Sequence, residues 1–196
     1  MVIMTEQLNI DKARTALVIV DLQKGIAGRE TMPYDAKTVI GNAAKLAETF
    51  RKNKMPVFLV HVVSSESDRL TPAADEQMFS KNQHGQMPSD WSEFVPELGK
   101  TESDIVITKK QWGAFYGTDL ELQLRRRKLD TIVLCGIATN YGVESTARFA
   151  YEFGFQQIFA EDAITSMSKE MHDASINFVL KRIGRVRKTD DILKSL

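Results

Sequence analysis

The chain alternates between short apolar runs and longer stretches in which apolar residues recur every three or four positions. Five runs stand out, at residues 15–20, 56–63, 104–107, 131–134 and 157–160. They are rich in Val, Ile, Leu and Phe with little polar alternation, as in strands covered on both faces in a parallel sheet. A weaker sixth run, 185–187, reads as an edge strand. Between the first two runs, residues 35–54 put Val39, Ala43, Leu46, Ala47 and Phe50 on one helical face. Met55-Pro56 then ends that helix. Residues 118–128 carry Leu120, Leu122 and Leu124 and finish in Arg125, Arg126, Arg127 and Lys128, a cationic last turn that complements the helix dipole. Helices at 140–153, stopped by Gly154, and at 168–183 complete the series. This rhythm predicts right-handed crossovers and a three-layer α/β/α, Rossmann-like doubly wound parallel sheet of about six strands.

Composition narrows the picture without redirecting it. At 196 residues the chain fits one domain, with its core expected at 15–187 and a long irregular loop at 64–101. Loops of that length are usually functional covers or interaction surfaces. The 26 basic residues balance 26 acidic ones, so no net field favours nucleic acid or an anionic membrane. The single cysteine, Cys135, can form neither an internal disulfide nor a thiolate metal cage. The first sixteen residues include Glu6, Asp11, Lys12 and Arg14 and lack the pattern of a signal peptide, and no apolar run approaches a membrane span. A cytoplasmic address is expected.

In open α/β sheets ligands gather outside the carboxyl ends of the strands. The first strand run is followed by Asp21, Leu22 and Gln23, and the third by Thr108, Lys109 and Lys110. The fourth leads through Cys135-Gly136-Ile137-Ala138-Thr139-Asn140 straight into a helix. Singly, these are a turn-forming Asp, loop lysines and a tight turn with an Asn cap. Together they set an acid, a base and a helix start around one crevice, where an Asp beside a buried Lys can poise a proton transfer.

Three segments, ALVIVDLQKGI, the stretch from ITKKQWGAFYGTDLELQLRRR through TIVLCGIATNYGVESTARFAYEFGF, and IFAEDAITS, resemble the isochorismatase-like hydrolases of the cysteine hydrolase superfamily. The resemblance spans residues 15–187. It implies that Asp21 is the catalytic aspartate and Lys109 the catalytic lysine. It also implies a non-proline cis peptide between Ile137 and Ala138, turning backbone N–H groups toward an oxyanion. Substrate contacts are expected from Gln23, Trp112, Phe115, Ile137, Ala138, Thr139 and Tyr141, with Tyr116 and the 64–101 loop adding selectivity. Trp112 and Phe115 serve equally well as core residues. The resemblance further implies a small-molecule substrate and a homodimer or homotetramer.

The chain departs from the cysteine-dependent members at Gly142, where those members carry the nucleophile. Glycine offers no attacking atom, so the thioester route is closed at that position. Cys135 lies seven residues earlier in an apolar strand, the setting of a small buried hydrophobe rather than a thiolate. Thr139 and Tyr141 flank the turn with no base evident beside them, and Ser145 lies a turn further on. Family members with glycine here hydrolyse a vinyl ether without a covalent intermediate. The resemblance implies the same route, with Asp21 as general acid/base and Lys109 as its electrostatic partner. Ile137-Ala138-Thr139-Asn140 stands where isochorismatases of that kind carry Val-Tyr-Ala-His, which argues against isochorismate itself. His61, His84 and His172 lack ligand spacing, so neither a zinc site nor another cofactor is expected. The competing reading is a non-catalytic or weakly catalytic small-ligand-binding protein that retained the fold. A third is an oligomeric structural module with Trp91, Trp112 and the 64–101 loop at subunit contacts.

Overall fold

A computed structural model describes residues 8–63, 72–76 and 88–196 of the chain. Six strands form one sheet in the order β3-β2-β1-β4-β5-β6: β1 Thr15–Val20, β2 Val57–Val62, β3 Ile105–Lys109, β4 Thr131–Ile137, β5 Gln156–Thr165 and β6 Arg185–Arg187. Every pairing is parallel. All six residues of β1 are buried, because β2 and β4 flank it and helices cover both faces. That double burial is why its sequence, TALVIV, shows no alternation.

The helices are α1 Lys24–Ala27, α2 Ala36–Lys52, α3 Leu120–Arg126, α4 Glu144–Glu152, α5 Lys169–Ala174, α6 Lys181–Ile183 and α7 Thr189–Lys194. A 3₁₀ turn spans Pro96–Leu98, and π-helical turns span Thr139–Val143 and Ser175–Leu180. In α2 the five residues read as one face are the five that are buried. Asp35 caps this helix by accepting the Thr38 N–H at 2.7 Å. Truncating a core aromatic such as Phe50 costs about 3–5 kcal/mol. One layer holds α2 and α7, and the other holds α4 with the segment from α5 to α6.

Some expected boundaries shift, for identifiable reasons. Strand three runs to Lys109, so the lysine is its last residue rather than part of the loop after it. Strand four continues through Cys135, Gly136 and Ile137. Gly136 sits at φ 130°, where a Cβ would lie 2.0 Å from the Val20 carbonyl oxygen. Only glycine lets β4 approach β1 so closely at that point. Strand five extends to Thr165 with a register shift against β4 between Leu134 and Gly136. In α3, Leu120 and Leu124 are buried but Leu122 faces outward. Of the 64–101 loop, residues 64–71 and 77–87, with His84, lie outside the described residues. Its later part packs on the domain: Trp91 lies against Gly25, and Phe94 stacks on His61 with ring centres 4.8 Å apart.

Candidate active site

The sheet order reverses between β1 and β4, and the carboxyl ends of these two strands frame the crevice. Asp21 is the first residue past β1. Its backbone lies in the left-handed region at φ 56°, uncommon for a residue with a side chain and less costly for Asp than for most. The Asp21 N–H still donates to the Val60 carbonyl at 2.9 Å, so the turn stays tied to the sheet. Its carboxylate lies against Gly142, in the turn that follows β4.

Lys109 meets it there. The Lys109 ammonium donates to Asp21 Oδ2 at 2.7 Å and to the Trp112 carbonyl at 2.7 Å. Both residues are interior, with Asp21 4% exposed and Lys109 2%. Asp21 Oδ1 is buried without a hydrogen-bond partner. Burial raises the Asp21 carboxyl above its ordinary range, and it outweighs the opposing pull of the Lys109 charge and hydrogen bond and of His61. The result is a paired carboxyl that holds its proton more firmly than one in water, with one buried oxygen left without a hydrogen-bond partner.

Gly142 faces that pair. A Cβ built on it would lie 2.9 Å from Asp21 Oδ2, 3.1 Å from Val20 Cγ1 and 3.4 Å from the Trp112 carbonyl oxygen. Glycine therefore lets the Asp21–Lys109 pair nest against the turn between β4 and α4. The Ile137–Ala138 peptide is cis. The N–H groups of Tyr141 and Val143 both donate to the Ala138 carbonyl at 3.2 Å, so the turn itself uses these two amides. Thr146, one turn into α4, donates to the Gly142 carbonyl at 2.6 Å and accepts the Ala114 N–H at 3.0 Å. It fastens the segment after β3 to the helix.

The remaining expected residues divide. Trp112 stands 55% exposed at the rim, its ring edge-on to Tyr141 with centres 5.0 Å apart. Ala138 borders the same turn and is nearly buried, while the Ile137 side chain is wholly interior. Phe115 points away from the crevice into an aromatic cluster with Phe153 and Phe155, at 5.5 and 5.8 Å. Gln23 is fully buried: its amide nitrogen donates to the carbonyls of Val62 and Trp91, and its oxygen accepts the Val62 N–H. It extends β2 with side-chain hydrogen bonds that leave its amide engaged by backbone. Cys135 is buried in β4, and burial pushes its thiol far above the ordinary range.

Two histidines take structural partners. His61 places its ring nitrogens 2.8 Å from the Ser92 carbonyl oxygen and 2.9 Å from Thr108 Oγ1. His172, 1% exposed, supplies the neighbour that Thr139 lacked in the sequence: its Nδ1 lies 2.9 Å from Thr139 Oγ1. Ser166 and Ser175 fix the same turn through Asn140 and Glu144, each at 2.5 Å. The sequence points to neither serine, and it marks His172 only as lacking ligand spacing. Yet His172, Ile176 and Leu180 recur every fourth position, a spacing that already put the histidine on a buried face.

An all-parallel sheet reversing at β1 and β4, with an acid and a lysine gathered there, defines a doubly wound α/β protein with a buried ion pair at its switch point. Within that class the chain belongs to the isochorismatase family of hydrolases: residues 15–191 match the Isochorismatase domain. It is 51% identical to an uncharacterized isochorismatase family protein, YwoC, of Bacillus subtilis, over 98% of this chain and 100% of that one. A probable isochorismatase of Pseudomonas chlororaphis is 26% identical, over 95% of this chain and 88% of its own length. Among solved structures, an isochorismatase family protein from Burkholderia thailandensis superposes with a TM-score of 0.90 at 37% identity, covering 97% of this chain and 99% of that one. Among the described residues no helix is long and apolar enough to cross a membrane.

Proposed function

We propose that this protein hydrolyses a small polar metabolite without a covalent enzyme intermediate, with Asp21 as general acid and base and Lys109 as its electrostatic partner. The observation that carries this reading is the buried Asp21 carboxyl, paired through Oδ2, unpartnered at Oδ1 and set against a glycine. The similarity to a probable isochorismatase supports a vinyl ether as the substrate type.

On such a substrate, Asp21 transfers its proton to the terminal vinyl carbon, and the ether carbon becomes an oxocarbenium ion. Water adds to that carbon and returns a proton to the Asp21 carboxylate. The hemiketal then collapses to a ketone and an alcohol. Lys109 stabilises the carboxylate while it is charged. Gly142 lets the turn close against the Asp21 carboxyl, where any side chain would press on it. No thiol takes part.

The test is turnover by purified protein of a panel of enolpyruvyl-type vinyl ethers, amides and carbamoyl compounds, with Asp21→Asn and Gly142→Cys alongside. The expected result is hydrolysis of a vinyl ether, reduced in Asp21→Asn by about 10²–10⁴-fold. Because the acid acts in its protonated form and burial raises it, activity falls as pH rises through its titration, and Asp21→Asn loses that limb. Unchanged turnover in Asp21→Asn would remove Asp21 as the donor. Saturable binding of a panel compound with no turnover in the parent protein would favour the ligand-binding reading.

A further inference from the structure

The turn that faces Asp21 begins at Thr139, and Thr139 is anchored from a side of the molecule that the proposed chemistry leaves unused. Behind it stands His172, from α5. Behind His172 stands Glu161, in β5, with Oε1 facing His172 Nε2 at 3.6 Å. The outer partners of Glu161 are Tyr34, whose hydroxyl donates to Oε1 at 2.8 Å, and Lys188, which pairs with Oε2 and donates to the Tyr34 oxygen at 2.6 Å. Tyr34 also stands edge-on to the His172 ring at 6.1 Å. Thr139 and His172 are enclosed, and the outer sides of His172, Glu161 and Lys188 border a cavity of about 350 Å³. The row therefore runs from that cavity to the candidate reaction centre.

The roles of the two ring nitrogens follow from what each one faces. Burial works against charge on Glu161, but its contacts with His172, Lys188 and Tyr34 outweigh that and hold its carboxyl down at about 2. It is a carboxylate at neutral pH. A carboxylate facing Nε2 favours the proton on that nitrogen, as with oriented imidazoles generally. In the neutral ring Nδ1 is then an acceptor, and the Thr139 hydroxyl donates to it.

We infer that His172 is a positioning residue for this site: held as the Nε2–H form by Glu161, it accepts the Thr139 hydroxyl and so fixes the turn that seats Gly142 against Asp21. Thr139 is fully buried, so its hydroxyl is not presented to a substrate as a nucleophile. The inference rests on the Asp21–Gly142 region being the reaction centre. The anchoring itself is measurable without any substrate.

The experiment uses ¹⁵N-histidine-labelled and uniformly ¹⁵N-labelled full-length protein, with His172→Leu, His172→Asn, Thr139→Val and Glu161→Gln. In the parent, His172 should show a protonated Nε2 and an unprotonated, hydrogen-bonded Nδ1. Thr139→Val should move the Nδ1 signal alone, and Glu161→Gln should weaken the preference for Nε2–H. A proton resident on Nδ1 in the parent overturns the inference. The Asn side chain presents an acceptor near the place of Nδ1, and Leu does not. Backbone amide signals of Gly142 and Val143 should therefore shift in His172→Leu and return toward parent positions in His172→Asn. No shift in His172→Leu, or equal shifts in both, overturns it.

With a vinyl ether turned over by the parent, kcat should fall about 10²-fold in His172→Leu at nearly constant KM and recover in His172→Asn, as for a misplaced reacting geometry. A rise in KM alone overturns the inference. Should the parent turn over nothing in the panel, the proposed reaction fails, while the two spectroscopic arms still decide the anchoring.

Discussion

At the scale of single residues, the Asp21–Lys109 pair sets the terms. Two groups at most 6% exposed in their side chains are joined by one 2.7 Å contact. Breaking such a pair from one side strands a polar group in the interior, whereas replacing both partners costs much less. Lys109→Met is expected to lower unfolding stability by about 3 kcal/mol, and adding Asp21→Asn to recover a large part of it, as read by urea denaturation. Equal losses in the single and double variants would mean that the pair is not coupled as its geometry indicates. Asp21, Lys109 and Gly142 could be read as candidates from the sequence because each stands at a strand end or in a motif of fixed order. For Gln23 and Phe115 the sequence leaves the direction of the side chain open. Their positions beside a strand end are legible, but the direction of a side chain depends on what packs there: the edge of β2 for Gln23, and Phe153 and Phe155 for Phe115.

At the scale of elements, the periodicity that marks α2 and β1 is the signature of one alternation of strand and helix, which buries both. What periodicity could not give was the continuation of β4 through Gly136. A glycine there reads as a stop, and it is instead a point of close approach to β1. A side chain at φ 130° with its Cβ 2.0 Å from a carbonyl oxygen has no way out except moving the backbone. Gly136→Ala is expected to cost more than about 3 kcal/mol, placing it in the severe tail of single substitutions, and to reduce soluble yield. A melting temperature within a degree or two of the parent would contradict that packing. The π-turns were likewise invisible in the sequence, because residues 140–153 and 168–183 keep helical spacing on either side of them. Such turns recur at functional sites, and here one carries Gly142.

At the scale of the whole molecule, Glu161 ties β5 to Tyr34, which precedes α2, and to Lys188, which precedes α7. Its carboxyl is held from an ordinary value near 4.5 down to about 2. A lowered value in the folded state means stabilisation that is complete above the ordinary value and lost as pH falls through the folded one. The stability difference between the parent and Glu161→Gln is therefore expected to hold from neutral pH down to about 5 and to close between there and pH 2, by denaturant titration at each pH. A difference independent of pH would assign the effect to shape rather than charge.

The order of the strands also bears on synthesis. β1 is made first of the six yet lies inside the sheet, and the neighbour on its other side, β4, is finished only with Ile137. Until that point a nascent chain carries β1 with one edge unpaired, the kind of surface that invites wrong partners. Joining parallel strands over so long an interval of chain is slow. The candidate site is thus assembled late, and a ribosome halted before Ile137 would hold Asp21 and Lys109 with no turn to close over them.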